Sequence, residues 1–494
     1  MLKRMRSFLV LVMLFITVTM SAQVTTATMS GKVTAQDEPI IGATIVAVHE
    51  PSGTRYGTVT NVSGQFNLQG MRTGGLYKVE ISYVGYQTAI YKGINLLLGE
   101  NYVLNVSLKE SSELLDEVVV TASKESNMKS DRAGAIMNAN RDMINSTPTI
   151  SRSISDIMRL SPQGADVGNG FAVGGGNYRQ SFVTVDGAAF NNTFGLGGNL
   201  PANGSPISLD ALEQVTVAVT PFDVRQSGFT GGAINAVTRS GDNQFRGTVY
   251  GYFNNENLRG DRVEDYKLTR SKSQYYTYGA CFGGPIIKDK LFFFVNGEYE
   301  YSPQPIHKWK LSDDGKDDSQ NMISRVTAED MSRFSQDLKN LYGYDTGSWT
   351  DFAGRTDVYR VMARMDWNIT DKHRFMLRYN YTGQKKDNNL VGSALSINGG
   401  PVSRYSMSFR NSTWQQLDNV NSLTAELNSR LSAALTHQLL VSLTFNDGNK
   451  RECKGDFPTV DIMKPDETGT NRAFMNAGYE QHAWKNGIQI GRAH

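Results

Sequence analysis

The sequence predicts a mainly β protein, in which a small N-terminal β-sandwich is followed by long antiparallel strands. Three observations support this prediction. The 494 residues include 48 glycines, 22 tyrosines and 22 phenylalanines, and only 20% of the residues are charged, which suits strands and turns. Many short segments alternate apolar and polar residues, as strands with one buried face do. The connections between the later segments also alternate strictly between long and short.

The first residues have the order of a secretory signal peptide: basic residues, a short apolar run and small residues. This order is formed by Lys3, Arg4 and Arg6, residues 8–18, Ser21 and Ala22. The apolar run is too short to cross about 30 Å of hydrocarbon as a helix. We therefore predict a signal peptide over residues 1–22. After Gln23 no long apolar stretch occurs, so a mature chain that crosses a membrane must do so as a closed barrel.

Residues 24–109 contain regularly spaced β-prone segments that are separated by turn residues, a pattern that predicts a small β-sandwich. The clearest alternation places Tyr77, Val79, Ile81 and Tyr83 on one face and Lys78, Glu80 and Ser82 on the other. The segments GKVTAQDEPIIGATIVA, TNVSGQFNLQG and ISYVGYQT resemble the carboxypeptidase regulatory-like domain, in that family's order. The resemblance implies a transthyretin-like sandwich and not the catalytic part of a peptidase.

The segment DEVVVTAS, residues 116–123, follows a short polar stretch. Three valines and a threonine favour an extended strand, while Asp116 and Glu117 keep it soluble. Such a segment is suited to adding as a strand to the sheet edge of a partner protein. The alternative is that it forms the last strand of the sandwich. The pattern alone does not distinguish these interpretations.

Two later segments, QSFVTVDGAAFNN and LDALEQVTVAVTPFDVRQSGFTGGAINAVTRSG, resemble the plug domain of TonB-dependent receptors. The first resembles a plug strand and its Asp-Gly turn, which falls at Asp186 and Gly187. Residues 154–162 are predicted to form a short helix of that plug. The glycine-rich residues 171–199 are predicted to form loops that pack inside a lumen. The resemblance implies a plug over residues 124–241 and a linker over 110–123 that carries the TonB box. It assigns that box to Asp116, Glu117, Val118, Val119, Val120, Thr121 and Ala122.

Residues 242–494 are predicted to be part of an antiparallel barrel that spans the outer membrane. Between residues 358 and 381, two strands alternate apolar and polar side chains around the turn TDKH. Short turns at PIIKDK, at TDKH and at residues 432–437 alternate with long loops, which include residues 302–357 and 383–419. Outer-membrane barrels have short periplasmic turns and long outer loops, and this pattern therefore favours a barrel over a soluble sandwich.

The alternation also predicts which side chains face lipid. An arginine on the lipid face costs roughly 2–4 kcal/mol near the membrane midplane, so we assign Arg360 and Arg364 to the lumen. The opposite face supplies the aromatic residues of the membrane interfaces, for which we predict Tyr299, Tyr301, Tyr359, Trp367, Tyr379 and Tyr381.

Only seven or eight barrel strands can be counted, whereas plugged transporters of this kind use about 22. A plug does not fit inside an eight-stranded barrel, and we therefore expect further strands beyond this sequence. The last five residues, IGRAH, are those that a common sequencing adapter would encode. Adapter read-through is our hypothesis for this ending. Resequencing tests it, and a genuine stop codon after His494 would contradict it.

No catalytic, cofactor or metal site is predicted. The histidines, at positions 49, 307, 373, 437, 482 and 494, lack metal-site spacing, and the acidic loop 312–319 lacks the spacing of an EF-hand. The formal net charge of +2 gives no reason to expect nucleic acid as a partner. Cys281 and Cys453 are far apart in the chain, and we interpret both as incidental.

The resemblance, closer to the Oar-like than to the SusC-like branch, implies a TonB-dependent receptor that imports an unidentified ligand. It implies a cell outer membrane location with the N-terminal domain in the periplasm. The expected partners are TonB with its inner-membrane energising complex, outer-membrane lipids and an extracellular ligand. A surface lipoprotein is a further candidate partner. The alternative hypothesis is a surface binding or adhesion protein that imports nothing.

Overall fold

The computed structural model describes residues 24–110, 118–121, 136–149, 152–167, 170–191, 200, 205–219, 231–258, 260–264, 266–267, 273–350, 353–388, 402–432, 435–453, 457–479 and 488–490. The predicted signal peptide, Asp116, Glu117 and Ala122 lie outside the described residues, as do the four last residues.

The N-terminal region is a sandwich of two sheets. Its strands are β1 (Ala27–Ala35), β2 (Glu38–Pro39), β3 (Thr44–His49), β4 (Thr54–Val59), β5 (Gln65–Met71), β6 (Tyr77–Ser82), β7 (Ala89–Ile94), β8 (Asn101–Val103) and β9 (Val106–Ser107), and β10 (Val118–Thr121) joins them. In one sheet β1 pairs with β2, β5, β8 and β9, and the other sheet has the order β10-β7-β6-β3-β4. The predicted sandwich is thus confirmed.

The core of the sandwich follows the predicted alternation with one exception. Tyr77, Val79 and Ile81 are fully buried between the sheets, as expected. Tyr83 is exposed, because β6 ends at Ser82 and the chain then turns. Strand β7 was not predicted, because the consecutive residues Tyr91, Lys92 and Gly93 interrupt its period-two pattern.

The second region, called the plug below (described residues between 136 and 241), is built on one five-stranded sheet with the order β11-β16-β17-β14-β15. Its elements are β11 (Ile136–Asn140), α1 (Arg141–Ser146), α2 (Ile154–Met158), β12 (Gly164–Asp166), β13 (Phe171–Val173), β14 (Phe182–Val185), β15 (Ala188–Ala189), β16 (Leu212–Ala218) and β17 (Ala233–Thr238), with 3-10 turns at Tyr178–Gln180 and Leu209–Ala211.

Two local predictions in the plug are confirmed. The short helix predicted within residues 154–162 is present as α2, although it ends at Met158. Its N-cap is Ser153, whose side chain and that of Asp156 form a capping box. The hairpin between β14 and β15 turns at Asp186 and Gly187, which have φ angles of +43° and +77°. A two-residue hairpin needs this left-handed backbone, and Asp-Gly is among the pairs that adopt it most readily.

The third region forms the barrel wall and its outer loops. Its elements are β18 (Arg246–Asn255), β19 (Arg262–Val263), β20 (Tyr266–Lys267), β21 (Gln274–Ile287), β22 (Leu291–Pro305), β23 (Lys310–Ser312), β24 (Ile323–Thr327), α3 (Ala328–Tyr342), β25 (Ala353–Asn368), β26 (His373–Asn388), β27 (Met407–Ser408), β28 (Trp414–Arg430), β29 (Thr436–Cys453), β30 (Phe457–Pro465), β31 (Asn471–Tyr479) and β32 (Ile488–Ile490), with 3-10 turns at Glu256–Leu258 and Arg410–Ser412.

The wall is an antiparallel sheet with the order β18-β21-β22-β25-β26-β28-β29-β32, which gives eight strands among the described residues, in agreement with the strand count from the sequence. Its connections alternate between short turns and long loops as predicted. The loops predicted over residues 302–357 and 383–419 are shorter in the structure. Strands β22, β25, β26 and β28 extend into them, beyond the part of each strand that has an apolar outward face. Their backbone pairing persists there although the side chains become polar.

The two faces of the wall differ as predicted. Arg360 and Met362 face inward and are buried, whereas Tyr359 and Trp367 of the same strand are exposed on the outward face. Tyr359 and Trp367 are eight residues apart, about 27 Å along a strand. A strand tilt of about 35–45° reduces this distance to about 19–22 Å along the membrane normal, which fits within the roughly 25 Å height of an outer-membrane apolar band. The outward face therefore has the dimensions of a lipid-facing surface.

Aromatic side chains lie near both ends of this outward face. All six predicted interface residues point outward. The row at the loop end comprises Tyr276, Tyr278, Tyr299, Tyr301, Tyr359, Tyr379 and Tyr381, and the row at the turn end comprises Phe245, Phe282, Phe293 and Trp367. Two aromatic rows that flank an apolar band are typical of outer-membrane barrels.

The long loops pack together into what we call the outer loop domain (residues 306–350, 402–413 and 457–479). Its apolar core consists of Val326, Met331, Phe334, Leu338, Met407, Phe409, Phe474, Met475 and Ala477. The predicted loop 302–357 therefore contains the 15-residue helix α3, which begins at a capping box of Thr327 and Asp330 and ends at Gly343 with φ +68°. Within the described ranges no helix is long and apolar enough to cross a membrane.

Candidate functional site

The plug is held against the wall by buried charges around Asp186. This residue accepts hydrogen bonds from the backbone N and the Oγ1 of Thr238, at 2.9 and 2.6 Å. Arg378 of β26 donates from Nη1 to Asp186 Oδ2 at 2.9 Å, and Arg364 Nη1 lies 3.5 Å from Oδ1. Arg378 is 0% exposed. An isolated buried charge is strongly unfavourable, so these contacts bind the plug to β25 and β26.

A second inward-facing cluster lies around Arg360. Its Nη1 and Nη2 donate to Glu298 and Glu300 of β22, each at 2.8 Å, and its Nε donates to the carbonyl oxygen of Ser205 in the plug at 2.7 Å. Ser208 of the plug donates to Glu298 at 2.6 Å. The lumen assignment of Arg360 and Arg364 is thereby confirmed, because both contact the plug.

A continuous series of charged contacts joins all three regions. Arg72, which follows β5 of the sandwich, lies 3.2 Å from Asp366 on the wall. Asp366 accepts from Arg364 at 2.8 and 2.9 Å, and Arg364 in turn reaches Asp186 of the plug. We call the five residues Arg72, Asp366, Arg364, Asp186 and Arg378 the charge chain. Its alternating signs connect the sandwich to the plug through the wall.

The edge strand β4 of the sandwich is seated on the turn end of the wall. Arg374 donates from Nη2 to the carbonyl oxygen of Arg55 at 2.8 Å, and its guanidinium lies 3.8 Å from the ring centre of Tyr56. Asn368 donates to Thr54 Oγ1 at 3.0 Å. These contacts cover one edge of the second sandwich sheet.

A cavity of about 290 Å³ lies where the sandwich, the plug and the wall meet. Its lining includes His49, Arg72, Glu213 and Arg239. Burial, together with the charge of Arg72, lowers the pKa of His49 to about 3, so this histidine is neutral near pH 7. Burial raises the pKa of Glu213, and the nearby Arg239 opposes that shift. The cavity thus has both polar and apolar lining residues, and the sandwich bounds it on one side.

The residues assigned to the TonB box are only partly described. Val118, Val119, Val120 and Thr121 form β10, which pairs in parallel with Ala89–Lys92 of β7. Sequence reasoning left open whether this segment is a docking peptide or a sandwich strand. The structure places it in the second sandwich sheet, and its role as a TonB box stays a prediction.

The sites that the sequence analysis set aside have ordinary local contacts. In the acidic loop, Asp314 and Asp318 accept from the backbone N of Lys316 and Gln320, at 3.0 and 2.9 Å. Cys281 is a free, buried cysteine whose Sγ accepts from Arg239 at 3.4 Å. Across the described ranges, no three His, Cys, Asp or Glu side chains gather as potential metal ligands.

Sequence reasoning missed the charge chain. Alternation in β25 did place Arg364 on the lumen side, but nothing local indicated that Asp186 would be its partner or that Arg72 would pair with Asp366. Arg72 and Asp366 are separated by almost 300 residues in the chain. The one available signal was that an arginine in a turn and an inward-facing carboxylate on a strand both need a partner of opposite charge.

Two family models match the chain. Residues 28–109 match the carboxypeptidase regulatory-like domain, and residues 237–307 match an outer membrane beta barrel domain. The first match covers the sandwich. The second begins in β17 and extends through β18, β21 and β22 of the wall.

Two curated relatives are similar to parts of the chain. The TonB-dependent transporter Oar of Myxococcus xanthus is 32% identical over 152 residues, which cover 29% of this chain and 14% of Oar. The TonB-dependent receptor SusC of Bacteroides thetaiotaomicron is 29% identical over 221 residues, which cover 42% of this chain and 20% of SusC. The aligned part thus spans less than a quarter of either relative. The preference for the Oar-like branch stays a prediction.

Solved structures of outer-membrane receptors also resemble the fold. The outer membrane transporter YddB from Escherichia coli has 12% sequence identity and a TM-score of 0.47, over 70% of this chain and 43% of YddB.

The lipid-sized apolar band between two aromatic rows and the barrel-family match define a protein of the cell outer membrane. Within that class, the chain is related to TonB-dependent transporters and carries a carboxypeptidase regulatory-like domain at its N-terminal end.

Proposed function

We propose that this chain is part of a TonB-dependent transporter that imports an unidentified ligand through the outer membrane, and that it has no catalytic role. The observation that carries this proposal is the plug, which packs against the inward face of the wall through buried ion pairs around Asp186. Such a plug blocks passage at rest. A transporter therefore needs a way to move it.

The proposed energy source is TonB, which captures residues 116–122 on the periplasmic side. The short turns of the wall mark that side, and the sandwich lies against them. Force on the box reaches the sandwich and the segment leading to the plug. Water that enters the lumen during this movement solvates Asp186 and Arg378, which weakens their pairing and lets the plug rearrange.

The ligand is proposed to bind from outside, at the outer loop domain. Loops carry most binding residues in proteins with rigid scaffolds, and this domain covers the loop end of the wall. The outward face of the wall contacts outer-membrane lipids, and a surface lipoprotein is a further proposed partner on the outside.

The test uses the complete protein in its own cells, supplied with isotopically labelled growth medium. Periplasmic contents are compared by mass spectrometry between wild type, a deletion of residues 116–122 and a matched deletion of residues 124–130. We expect one labelled compound to disappear only with the first deletion, while the protein still assembles in the outer membrane.

Unchanged accumulation after the box deletion would contradict the proposed mechanism. Label that stays bound at the cell surface and never reaches the periplasm, even in wild type, would instead support the surface-binding alternative.

A further inference from the structure

We propose that the sandwich is a lock on the plug: while the sandwich is seated on the wall, the plug cannot move toward the periplasm. The sandwich therefore has to leave its seat before the plug opens. This inference rests on the proposed function only because transport requires a plug that moves. It gives the carboxypeptidase regulatory-like domain a role in keeping the barrel closed at rest.

Direct contacts between the sandwich and the plug are the first observation. The backbone N of Leu98 in the sandwich donates to Oε1 of Gln214 in β16 at 3.1 Å. Leu98 and Val24 of the sandwich also form an apolar cluster with Val237 of β17. Strands β16 and β17 are neighbours in the interior of the plug sheet. The sandwich thus holds the sheet on which the plug is built, and not only its loops.

The close fit at one turn is the second observation. Gly74 lies in the turn between β5 and β6 and has a φ angle of +74°. A Cβ atom added there would lie 2.6 Å from Oε1 and 3.0 Å from Cγ of Glu213 in β16. The side chain of Glu213 therefore packs on the bare backbone of Gly74, an approach that the missing side chain of glycine permits. Shape as well as hydrogen bonding thus joins the sandwich to the plug.

The seat of the sandwich on the wall is the third observation. Beside the turn between β25 and β26, Asn368 donates to Thr54 Oγ1 at 3.0 Å. Beside the turn between β28 and β29, Thr436 donates from Oγ1 to Oε1 of Gln69 at 2.7 Å. The sandwich is therefore fixed to two short turns of the wall at the same time as it contacts the plug.

One arginine joins both sets of contacts. Arg72 of the sandwich donates to the hydroxyl of Ser240, which follows β17 in the plug, and lies 3.2 Å from Asp366 of the wall. A shift of the plug relative to the wall would pull these two partners of Arg72 apart. The resting positions of the plug and the wall are thus both fixed by the sandwich.

These contacts leave the plug no free route toward the periplasm. The sandwich lies against the short turns, which mark the periplasmic side of the wall. A plug that moves toward that side must displace the sandwich or carry it along, and both movements break the bonds between the sandwich and the wall. The alternative is that the plug rearranges inside the lumen while the sandwich stays seated. The two arrangements predict opposite effects of fixing the sandwich to the wall.

The test fixes the sandwich with a disulfide in the purified complete protein. The double variant Thr54→Cys and Asn368→Cys replaces two side chains that are in contact across the seat. A matched control, Val48→Cys with Lys78→Cys, joins β3 and β6 inside the sandwich. Hydrogen exchange of β16 and β17 is measured with and without reductant, in the absence of TonB.

The wall disulfide should slow exchange in β16 and β17 by about tenfold or more, because the openings that expose these amides require an unseated sandwich. Reductant should restore the wild-type rate, and the control disulfide should leave that rate within about twofold. If the wall disulfide changed exchange in the plug strands by less than about twofold, the plug would open beneath a seated sandwich, and the proposal would be overturned.

A second pair of variants tests the contact without a disulfide. Val24 is 3% exposed beside the plug, whereas Val84, in the turn after β6, is 92% exposed. A carboxylate is strongly unfavourable in the apolar cluster, so Val24→Asp should speed exchange in β16 and β17 by about tenfold. Val84→Asp makes the same chemical change on an open surface and should alter these rates by less than about twofold.

Exchange of β6 shows whether the sandwich of Val24→Asp stays folded. If β6 keeps its protection and the plug strands exchange as in wild type, the contact does not hold the plug and the proposal is wrong. If β6 loses its protection, the disulfide pair, which leaves the apolar cluster intact, decides the question. Neither measurement involves import, so a deletion of residues 116–122 that left uptake unchanged would contradict the proposed function without contradicting the lock.

Discussion

The two ends of the barrel wall are covered in different ways. At the turn end the sandwich is seated mainly through polar contacts, such as the pair of Arg72 with Asp366 and the bond from Asn368 to Thr54. Among the described residues, the apolar cluster between the sandwich and the plug at this end consists of Val24, Leu98 and Val237. At the loop end the outer loop domain has nine buried apolar residues in its core.

This difference indicates which end is suited to repeated opening. Apolar burial scales with the area removed from water and is not weakened by moderate salt. Polar contacts exchange readily with water, and partly exposed ion pairs are screened by salt. We therefore expect the outer loop domain to stay folded while the sandwich docks and undocks. The following predictions test that contrast, from the largest expected effect to the smallest.

The largest effect is expected in the core of the outer loop domain. Phe409 is fully buried and contacts Phe334 and Trp349. Phe409→Ala leaves a cavity, so we expect local stability to fall by about 3–5 kcal/mol. Hydrogen exchange of α3 measures this loss. Leu341→Ala on the same helix is the control, because Leu341 is 73% exposed. Equal effects of the two substitutions would show that the loops share no packed core.

Much of the wall could be predicted from the sequence, because its pattern is local. Alternation fixed the inward position of Arg360 and the outward position of Tyr359, and loop lengths indicated the two ends. Signals for α3 were also local: Thr327 and Asp330 cap it, and Met331, Phe334 and Leu338 follow at helical spacing. The helix was nevertheless not predicted, because these signals lie inside a long predicted loop.

The candidate site depends on pairings that no local pattern encodes. Asp186 was recognised only as a turn residue, and its role in the charge chain depends on arginines almost 200 residues away. The core of the outer loop domain likewise combines Met331, Phe409 and Phe474, which come from three separate loops. The parallel pairing of β10 with β7 is also long-range, and a valine-rich segment does not specify its partner strand.

The next largest effect is expected at the base of the charge chain. Arg72→Ala leaves Asp366 with one guanidinium fewer and removes a bond to Ser240. We expect sandwich docking to weaken by about 1.5–3 kcal/mol, the range of hydrogen bonds to charged groups. The rate of disulfide trapping between Thr54→Cys and Asn368→Cys reports docking.

Two controls accompany this variant. Arg72→Lys should weaken docking by part of the amount expected for Arg72→Ala, because an ammonium cannot bridge two acceptors as a planar guanidinium does. Arg55→Ala should change little, because its side chain is exposed and only its carbonyl oxygen meets the wall. If Arg72→Ala left docking unchanged, the charge chain would not contribute to holding the sandwich on the wall.

A pH effect of intermediate size is expected in the sandwich. The pKa of His49 is lowered to about 3 by burial, whereas in the unfolded chain it is near 6.5. Between these values the unfolded state binds more protons, so the free energy of unfolding falls as the pH drops, by about 1.4 kcal/mol per pH unit. Hydrogen exchange of β6 at pH 7.5 and 5.5 measures this slope. The slope should flatten in His49→Gln, and an unchanged slope there would assign it to other groups.

The smallest effect is expected for Asn368→Ala. This substitution removes one neutral hydrogen bond to Thr54 Oγ1 and a second to the carbonyl oxygen of Asp289 at 2.9 Å. Neutral hydrogen bonds contribute about 0.5–1.5 kcal/mol each, and Thr54 retains Ser52 as a partner at 2.7 Å. We therefore expect only slightly faster hydrogen exchange in β4, with no change in α3. An equal change in β4 and α3 would mean that the two ends of the wall open together. The expectation that the sandwich undocks while the outer loop domain stays folded would then be wrong.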